Sequence, residues 1–278
     1  MARPYLVFDG ISKRFGELEI VAPTFDLAVK RNELVVFLGP SGCGKTTLMR
    51  MVGGLEAPSS GEITLDGEPA GKPGRERGMV FQSYSCFPWL TVAQNVGFGM
   101  RYRLDLSAAK KRDRLAHYLE LVGLADFADA YPNRVSGGMR QRIAIARTLA
   151  AGSEVLLMDE PFGALDAQRR EDLQVELRRI QQQDAKTIIF VTHDVEEAVF
   201  LADRIIVFSN RPARLLHEVD VAAELGSERT LDLRDSDRFF HLRTRILRMV
   251  RASASMLPGD SHPIAESARQ PFDSGAAA

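Results

Sequence analysis

One stretch constrains this chain more than any other: Gly39-Pro40-Ser41-Gly42-Cys43-Gly44-Lys45-Thr46-Thr47. It follows an apolar run, Leu34 to Leu38, and leads into Leu48-Met49-Arg50-Met51-Val52. The pattern G-x-x-x-x-G-K-T between a buried strand and a helix is the setting a phosphate-binding loop requires. Glycines let the backbone wrap closely around a phosphate chain, and successive N–H groups then form an anion nest. The helix that opens at the loop adds the positive end of its dipole. Lys45 supplies a mobile charge for β and γ phosphates, and the Thr46 hydroxyl is a candidate Mg²⁺ ligand. An ordinary glycine-rich turn lacks this flanking strand and helix, so the stretch Gly39 to Thr47 is read as binding a nucleotide.

The rest of the composition fits one large or two small globular domains. The chain has 278 residues, 45% of them hydrophobic and 26% charged. A formal net charge of −1 gives no reason to expect nucleic acid as a main partner. No apolar run reaches the roughly 20 residues of a membrane-spanning helix, and no signal-peptide core is seen, so a cytosolic protein is expected. Cys43 and Cys86 have neither metal nor disulfide spacing.

Along the chain, Tyr5 to Val29 reads as short β runs, and Gly61 to Leu65 as a half-buried strand ended by a turn at Asp66-Gly67. These suggest an antiparallel layer near the phosphate-loop strand. Ser83 to Asn95 is rich in aromatics and holds the only tryptophan, Trp89. A helix is expected from an N-cap at Ser107 to a stop at Gly123, and another from Ser136-Gly137-Gly138. Residues 83–152 therefore read as a helical insert in an α/β protein. Val155 to Asp159 and Thr187 to Thr192 have the uniformly apolar texture of parallel strands covered on both faces. Asp194 reads as a helix N-cap with Glu197 in the capping-box position. Residues 223–252 are expected to form a C-terminal helical extension, whose Phe239 to Val250 stretch is a basic helix packed on its parent domain. Residues 253–278, rich in Ser, Ala, Pro and Gly, are expected to be disordered.

Ligands of open parallel sheets bind beyond the carboxyl ends of the strands. Three such ends carry polar groups suited to phosphoryl transfer: the loop at Gly39, the pair Asp159-Glu160, and His193. Asp159 would help hold Mg²⁺, and Glu160 would orient the attacking water while Lys45 and backbone N–H groups stabilise charge. A single strand-end acid is often only a helix cap. Two acids after an apolar run, in a chain with a phosphate loop, are better explained by chemistry.

Taken together and in order, the phosphate loop, Gln82, S-G-G-M-R-Q-R at 136–142, L-L-M-D-E-P at 156–161, G-A-L-D at 163–166 and His193 resemble the ATP-binding-cassette (ABC) ATPases. The resemblance covers Tyr5 to Val221. It implies a RecA-like phosphate-loop core with a mainly parallel sheet, an N-terminal antiparallel β layer and an inserted α-helical subdomain, within an ATPase domain over residues 1–222. It implies ATP and Mg²⁺ as cofactors. On its own Phe15 reads as core; the resemblance instead makes it the aromatic that stacks on adenine. Gln82 resembles the residue that senses Mg²⁺ and the attacking water, and His193 the switch histidine at the γ-phosphate. Ser136, Gly137, Gly138 and Asp166 would meet ATP held by a second copy, giving a head-to-tail dimer that closes on ATP.

Finer texture resembles importer ATPases for nitrate, sulfonates and taurine: F-P-W-L-T-V at 87–92, D-E-P-F-G-A-L-D, and T-H-D-V-E-E-A-V-F-L-A-D-R. This implies a peripheral subunit on the cytoplasmic face of the inner membrane, with Ser83–Asn95 receiving a transmembrane permease and a periplasmic or extracellular binding protein delivering the substrate. Phe87 and Trp89 read equally well as packing the insert's own core. Asn32 stands where the family usually has Gly, and Val135 where Leu is usual. The competing reading is a soluble, non-transport ABC ATPase acting on nucleic acid or ribosomes, disfavoured by the absence of long insertions or a basic face. A small-molecule kinase would leave the S-G-G helix without a job.

Overall fold

A computed structural model describes residues 3–82 and 86–255. Its strands and helices, in chain order, are β1 (Leu6–Phe15), β2 (Leu18–Val29), β3 (Leu34–Leu38), α1 (Lys45–Val52), β4 (Ser60–Leu65), β5 (Glu68–Pro69), β6 (Arg77–Val80), α2 (Val92–Gly97), α3 (Ala108–Leu121), α4 (Gly137–Ala151), β7 (Val155–Asp159), α5 (Ala167–Gln183), β8 (Thr187–Thr192), α6 (Val195–Leu201), β9 (Arg204–Phe208), β10 (Leu215–Asp220), α7 (Val221–Leu225) and α8 (Asp237–Ser255).

The strands form two sheets. A six-stranded sheet runs β10-β9-β3-β8-β7-β6, with β6, β7, β8, β3 and β9 parallel and only β10 antiparallel. A four-stranded antiparallel sheet runs β2-β1-β4-β5. The turn between β4 and β5 puts Asp66 and Gly67 both at positive φ, the conformation a two-residue hairpin of matching twist demands. This is the α/β architecture with an antiparallel layer and a helical insert that the sequence leads one to expect.

Strand alternation explains how the two sheets and the helices share one body. In β3, Leu34, Val36 and Leu38 join one hydrophobic core, while Val35 and Phe37 join the other. The first core contains the apolar faces of α2, α3, α4, α5, α6 and α8; the second contains α1 and the antiparallel sheet. A strand buried on both faces has no polar alternation to show: β3, β7, β8 and β9 are buried at every position, and the polar residues of β7, β8 and β9 stand only at their ends.

The two sequence departures and the C-terminal extension find their physical setting. Asn32 sits at φ 62, a left-handed turn position that asparagine tolerates better than other side chains. Val135 is buried in the first core. The C-terminal helix also lies on this core: Phe239, Leu242 and Ile246 of α8 are at most 2% exposed. Helix α8 continues through Ser255, beyond residue 252, with the buried Ser253 hydroxyl donating to the Val250 carbonyl at 2.7 Å. The remainder of the 253–278 tail, like Ser83, Tyr84 and Ser85 of the aromatic stretch, lies outside the described residues.

Candidate functional site

The carboxyl ends of β3, β7 and β8 converge on a cavity of about 290 Å³. Its floor is the loop: Ser41, Gly42, Gly44, Lys45, Thr46 and Thr47. Gln82, Asp159, Glu160 and His193 stand on its other sides, and Ile20 and Val191 complete it. Parallel pairing of β3 with β8 and of β8 with β7 brings together side chains more than a hundred positions apart.

The loop's shape follows from its glycines. Gly44 sits at φ 119, where a Cβ would lie 2.9 Å from the Ile20 carbonyl oxygen and 3.1 Å from the Ala213 side chain. Gly39 packs so closely on Phe208 that a Cβ would meet its backbone oxygen at 3.1 Å. Lys45 is buried, and its ammonium donates to the Gly39 and Pro40 carbonyls at 2.8 and 2.7 Å, 3.7 Å from Cys43 Sγ. The cation is thus folded back on its own loop, within the cavity that a phosphate chain would enter.

Helix α1 begins directly at this loop, with Gly44 as N-cap, no capping side chain and no acid in its first turn. Its first-turn N–H groups are therefore free to receive an anion.

Opposite the loop, Thr46 Oγ1 donates to Asp159 Oδ1 at 3.1 Å. Burial pushes the Asp159 carboxyl above its usual range and Glu160 pushes it further, while the Thr46 bond and Lys45 pull it back. Among the described residues no group of three His, Cys, Asp or Glu side chains is arranged to hold a metal by itself. One carboxylate, one hydroxyl and the amide of Gln82 are the sparse, hard-oxygen set that suits Mg²⁺ when phosphates and water supply the remaining ligands.

Glu160 occupies the centre. Its backbone is at φ 45, unusual for a side-chain-bearing residue, and its N–H donates to Val191 O at 2.9 Å. One carboxylate oxygen accepts from Gln82 Nε2 at 3.2 Å; the other lies 3.0 Å from His193 Nδ1. Glu160 is thereby linked to both neighbouring strand ends, and His193 remains 64% exposed at the side chain.

A loop with an uncapped helix, a Thr–Asp pair and a carboxylate held between an amide and an imidazole are groups of the kind that phosphoryl transfer uses. The family model described as ABC transporter matches residues 23–163. The chain belongs to the ABC transporter family. An uncharacterized ABC transporter ATP-binding protein of Methanocaldococcus jannaschii is 47% identical over 229 residues, 81% of this chain and 82% of that protein. The nitrate import ATP-binding protein NrtD of Synechocystis is 44% identical over 236 residues, 84% of this chain and 88% of that protein. A dimeric ATP-binding cassette solved in a post-hydrolysis state with ADP and Pi matches at TM-score 0.70 and 31% identity, over 78% of this chain and 98% of its own. The chain is an ABC transport ATPase, with the cassette fold.

Not every residue singled out in the sequence of this ABC ATPase lines the cavity. Phe15 ends β1 and is 48% exposed, with Lys13 Nζ 4.6 Å from its ring centre. Ser136 caps α4 by accepting from Met139 N at 3.2 Å, and Asp166 caps α5 by accepting from Arg169 N at 3.0 Å. Both are exposed, and neither they nor Gly137 and Gly138 line the cavity. A Cβ on Gly138 would lie 3.2 Å from Ala164 O, so the start of α4 abuts the segment leading to Asp166.

In the aromatic stretch, Trp89 is 69% exposed. Phe87 is half-buried, its ring centre 4.5 Å from that of Phe98 in a tilted pair and 5.0 Å from the Arg147 guanidinium. The buried Asn95 amide braces this loop, accepting from Phe87 N and donating to the Phe87, Leu90 and Thr91 carbonyls. The readings divide: Phe87 packs against the insert, while Trp89 faces outward. Sequence reasoning missed Ile20, whose carbonyl sets the tightness of the loop from a different sheet; no local pattern marks it.

Proposed function

We propose that this ABC ATPase is the energy-coupling subunit of an importer for a small anion of the nitrate, sulfonate, taurine or bicarbonate type, working through a separate permease. The observation that carries the catalytic reading is Glu160, poised over the phosphate loop with its two oxygens shared between Gln82 and His193. The import reading is supported by similarity to a nitrate import ATP-binding protein. Among the described residues no helix is long and apolar enough to cross a membrane, consistent with a subunit that attaches peripherally at the cytoplasmic face.

In this mechanism Gly39 to Thr47 hold the phosphates, with Lys45 turning from its loop carbonyls to the β and γ oxygens, and Phe15 stacks on adenine. Thr46, Asp159 and Gln82 hold Mg²⁺, which when bound neutralises charge on the phosphate oxygens. Glu160 orients a water and receives its proton as the water oxygen bonds to the γ phosphorus. The bond from that phosphorus to the bridging oxygen breaks, and ADP leaves with the electron pair. His193 steadies Glu160 and contacts the γ-phosphate. Ser136, Gly137, Gly138 and Asp166 complete the site in trans on a second copy, so ATP closes a head-to-tail dimer and hydrolysis releases it. The permease docks at residues 83–95, with Trp89 as its exposed anchor, and a binding protein outside the membrane delivers the anion.

Light scattering of Glu160→Gln with and without Mg-ATP tests this directly. Turnover is expected to fall by roughly 100- to 10,000-fold, as when a general base is lost. ATP should convert the variant from monomer to dimer, and Ser136→Arg should abolish that conversion. Undiminished hydrolysis in Glu160→Gln would remove the catalytic assignment, and an ATP dimer that tolerates Ser136→Arg would remove the composite site.

A further inference from the structure

His193 reaches Glu160, but its own ring makes a single hydrogen bond among the described residues. Where the imidazole stands therefore depends on the backbone to either side. Both sides are tied down. The Thr192 hydroxyl accepts from Asp194 N at 3.0 Å, and its neighbourhood helps to keep the Glu197 carboxylate charged. The Asp194 carboxylate caps α6, accepting from Glu196 N at 2.8 Å and Glu197 N at 3.2 Å.

Glu197 leads away from the site. Its Oε1 accepts from Gln174 Nε2 at 3.0 Å, and Gln174 Oε1 in turn accepts from the Arg234 guanidinium. Gln174 is 2% and Glu197 7% exposed. Burial pushes the Glu197 carboxyl above its usual range, and Thr192 and Gln174 counter that only in part. Arg234 also pairs with Glu171 at 2.8 Å and lies 4.4 Å from the centre of the Phe200 ring on α6. The far end of α6 is gripped as well. Arg178 donates to Leu201 O at 3.0 Å and to Ser227 O at 3.0 Å, and Arg229 donates to Ala202 O at 3.1 Å and to the Gly226 carbonyl. The segment 226–234 thus clasps both ends of the helix that follows His193.

We propose that this C-terminal segment is a positioning device for hydrolysis: through Arg234, Gln174 and Glu197 it fixes the Thr192–Asp194 corner that presents His193 to Glu160. The inference rests on the reading of Glu160 and His193 as the reacting pair. Gln174 works here as an oriented relay. Its oxygen faces a cation and its amide faces a carboxylate, so it cannot flip without facing donor to donor at Arg234. Both polar atoms of the Gln174 amide are engaged in this chain, while the Arg234 Nε is buried without a hydrogen-bond partner among the described residues. Glu171, Gln174, Glu197, Thr192 and Arg234 are positioning residues; none lines the cavity.

The orientation supplies its own test. Glu197→Gln puts a neutral amide where the carboxylate accepts from Gln174, so the charge-assisted acceptor is lost and the relay is weakened. In the double variant Gln174→Glu/Glu197→Gln, Arg234 and the amide newly placed at position 197 both donate to the new carboxylate. Steady-state ATP hydrolysis by the full chain should show Glu197→Gln lowering kcat about tenfold, the scale of a small misplacement of a reacting group. KM for ATP should stay within about twofold, since ATP binding itself is untouched. The double variant should restore most of kcat, and Arg234→Met should lower it several-fold with KM again unchanged. Arg234→Met and the double variant decide the matter even if Glu197→Gln folds poorly.

A double variant as slow as Glu197→Gln, or Arg234→Met with wild-type kcat, would overturn the inference. His193→Ala separates the two levels. If His193→Ala is inactive while Glu197→Gln and Arg234→Met turn over normally, only the positioning role fails. Normal turnover in His193→Ala would sink both.

Discussion

Two helix starts in this ABC ATPase have opposite character. Helix α1 begins at Gly44 with no capping side chain and no first-turn acid. Helix α4 begins at Ser136, whose hydroxyl already accepts from Met139 N. Helices α2, α3, α5, α6, α7 and α8 are capped in the same way by Thr91, Ser107, Asp166, Asp194, Asp220 and Ser236. Among the eight α-helices of the described residues, only that of the phosphate loop lacks a capping side chain. A cap is worth about 1 kcal/mol, so forgoing one costs stability that a phosphate can return. The start of α4 is self-sufficient within its own chain, as suits a group proposed to meet ATP only across a dimer.

This contrast can be broken most sharply at Gly44. Gly44→Ala at φ 119 should impose strain of roughly 1–3 kcal/mol and press a methyl on Ile20 and Ala213. Titration with a fluorescent ATP analogue should then show affinity falling by about 10- to 100-fold, the equivalent of that strain. Unchanged affinity would mean that the open helix start is not the anion site. At α4 the effect should be on stability instead. Ser136→Ala removes a cap worth about 1 kcal/mol and should lower Tm by about 2–4 °C. An unaltered Tm would mean that this helix start, too, is satisfied only by a partner.

The smallest effect should come from Asp159→Asn, with a sign opposite to that of Ser136→Ala. Burial raises the folded-state pKa of Asp159 above its unfolded value. The folded chain therefore holds the proton more tightly, and stability is lost as pH rises through the range just above that of ordinary carboxylates. At pH 7 the nucleotide-free wild type carries that cost and the Asn variant does not. Asp159→Asn should melt about 1–2 °C higher at pH 7, the equivalent of a few tenths of a kcal/mol or more. The gap should shrink toward pH 4, while ATP hydrolysis is lost. A variant melting below wild type at pH 7 would show the Thr46 bond to outweigh desolvation.

What is legible in the sequence is whatever carries a local signature. The apolar run before Gly39, the acids ending β7, His193 ending β8, and the caps at Ser107, Ser136 and Asp194 all lie where their spacing puts them. The capping box at Asp194 holds only in half: the aspartate caps, but the Glu197 side chain turns inward to Gln174. A buried hydrogen bond between residues on different helices leaves no periodic trace, and neither Gln174 nor Arg234 stands out by composition. The same holds for Ile20. For α8 the apolar spacing of Phe239, Leu242 and Ile246 is visible, but not which surface it covers.

Glu160 invites one last consequence. Both of its oxygens are engaged within the chain, one by an amide and one by an imidazole. A carboxylate held at both oxygens is not free to turn toward a water until one of the two lets go. On the proposed mechanism, a solitary subunit that has captured ATP would sit idle, holding its fuel unspent. The event that frees Glu160 is then also the event that commits the cell to a turnover, so thrift is built into the same bonds that hold the site in shape.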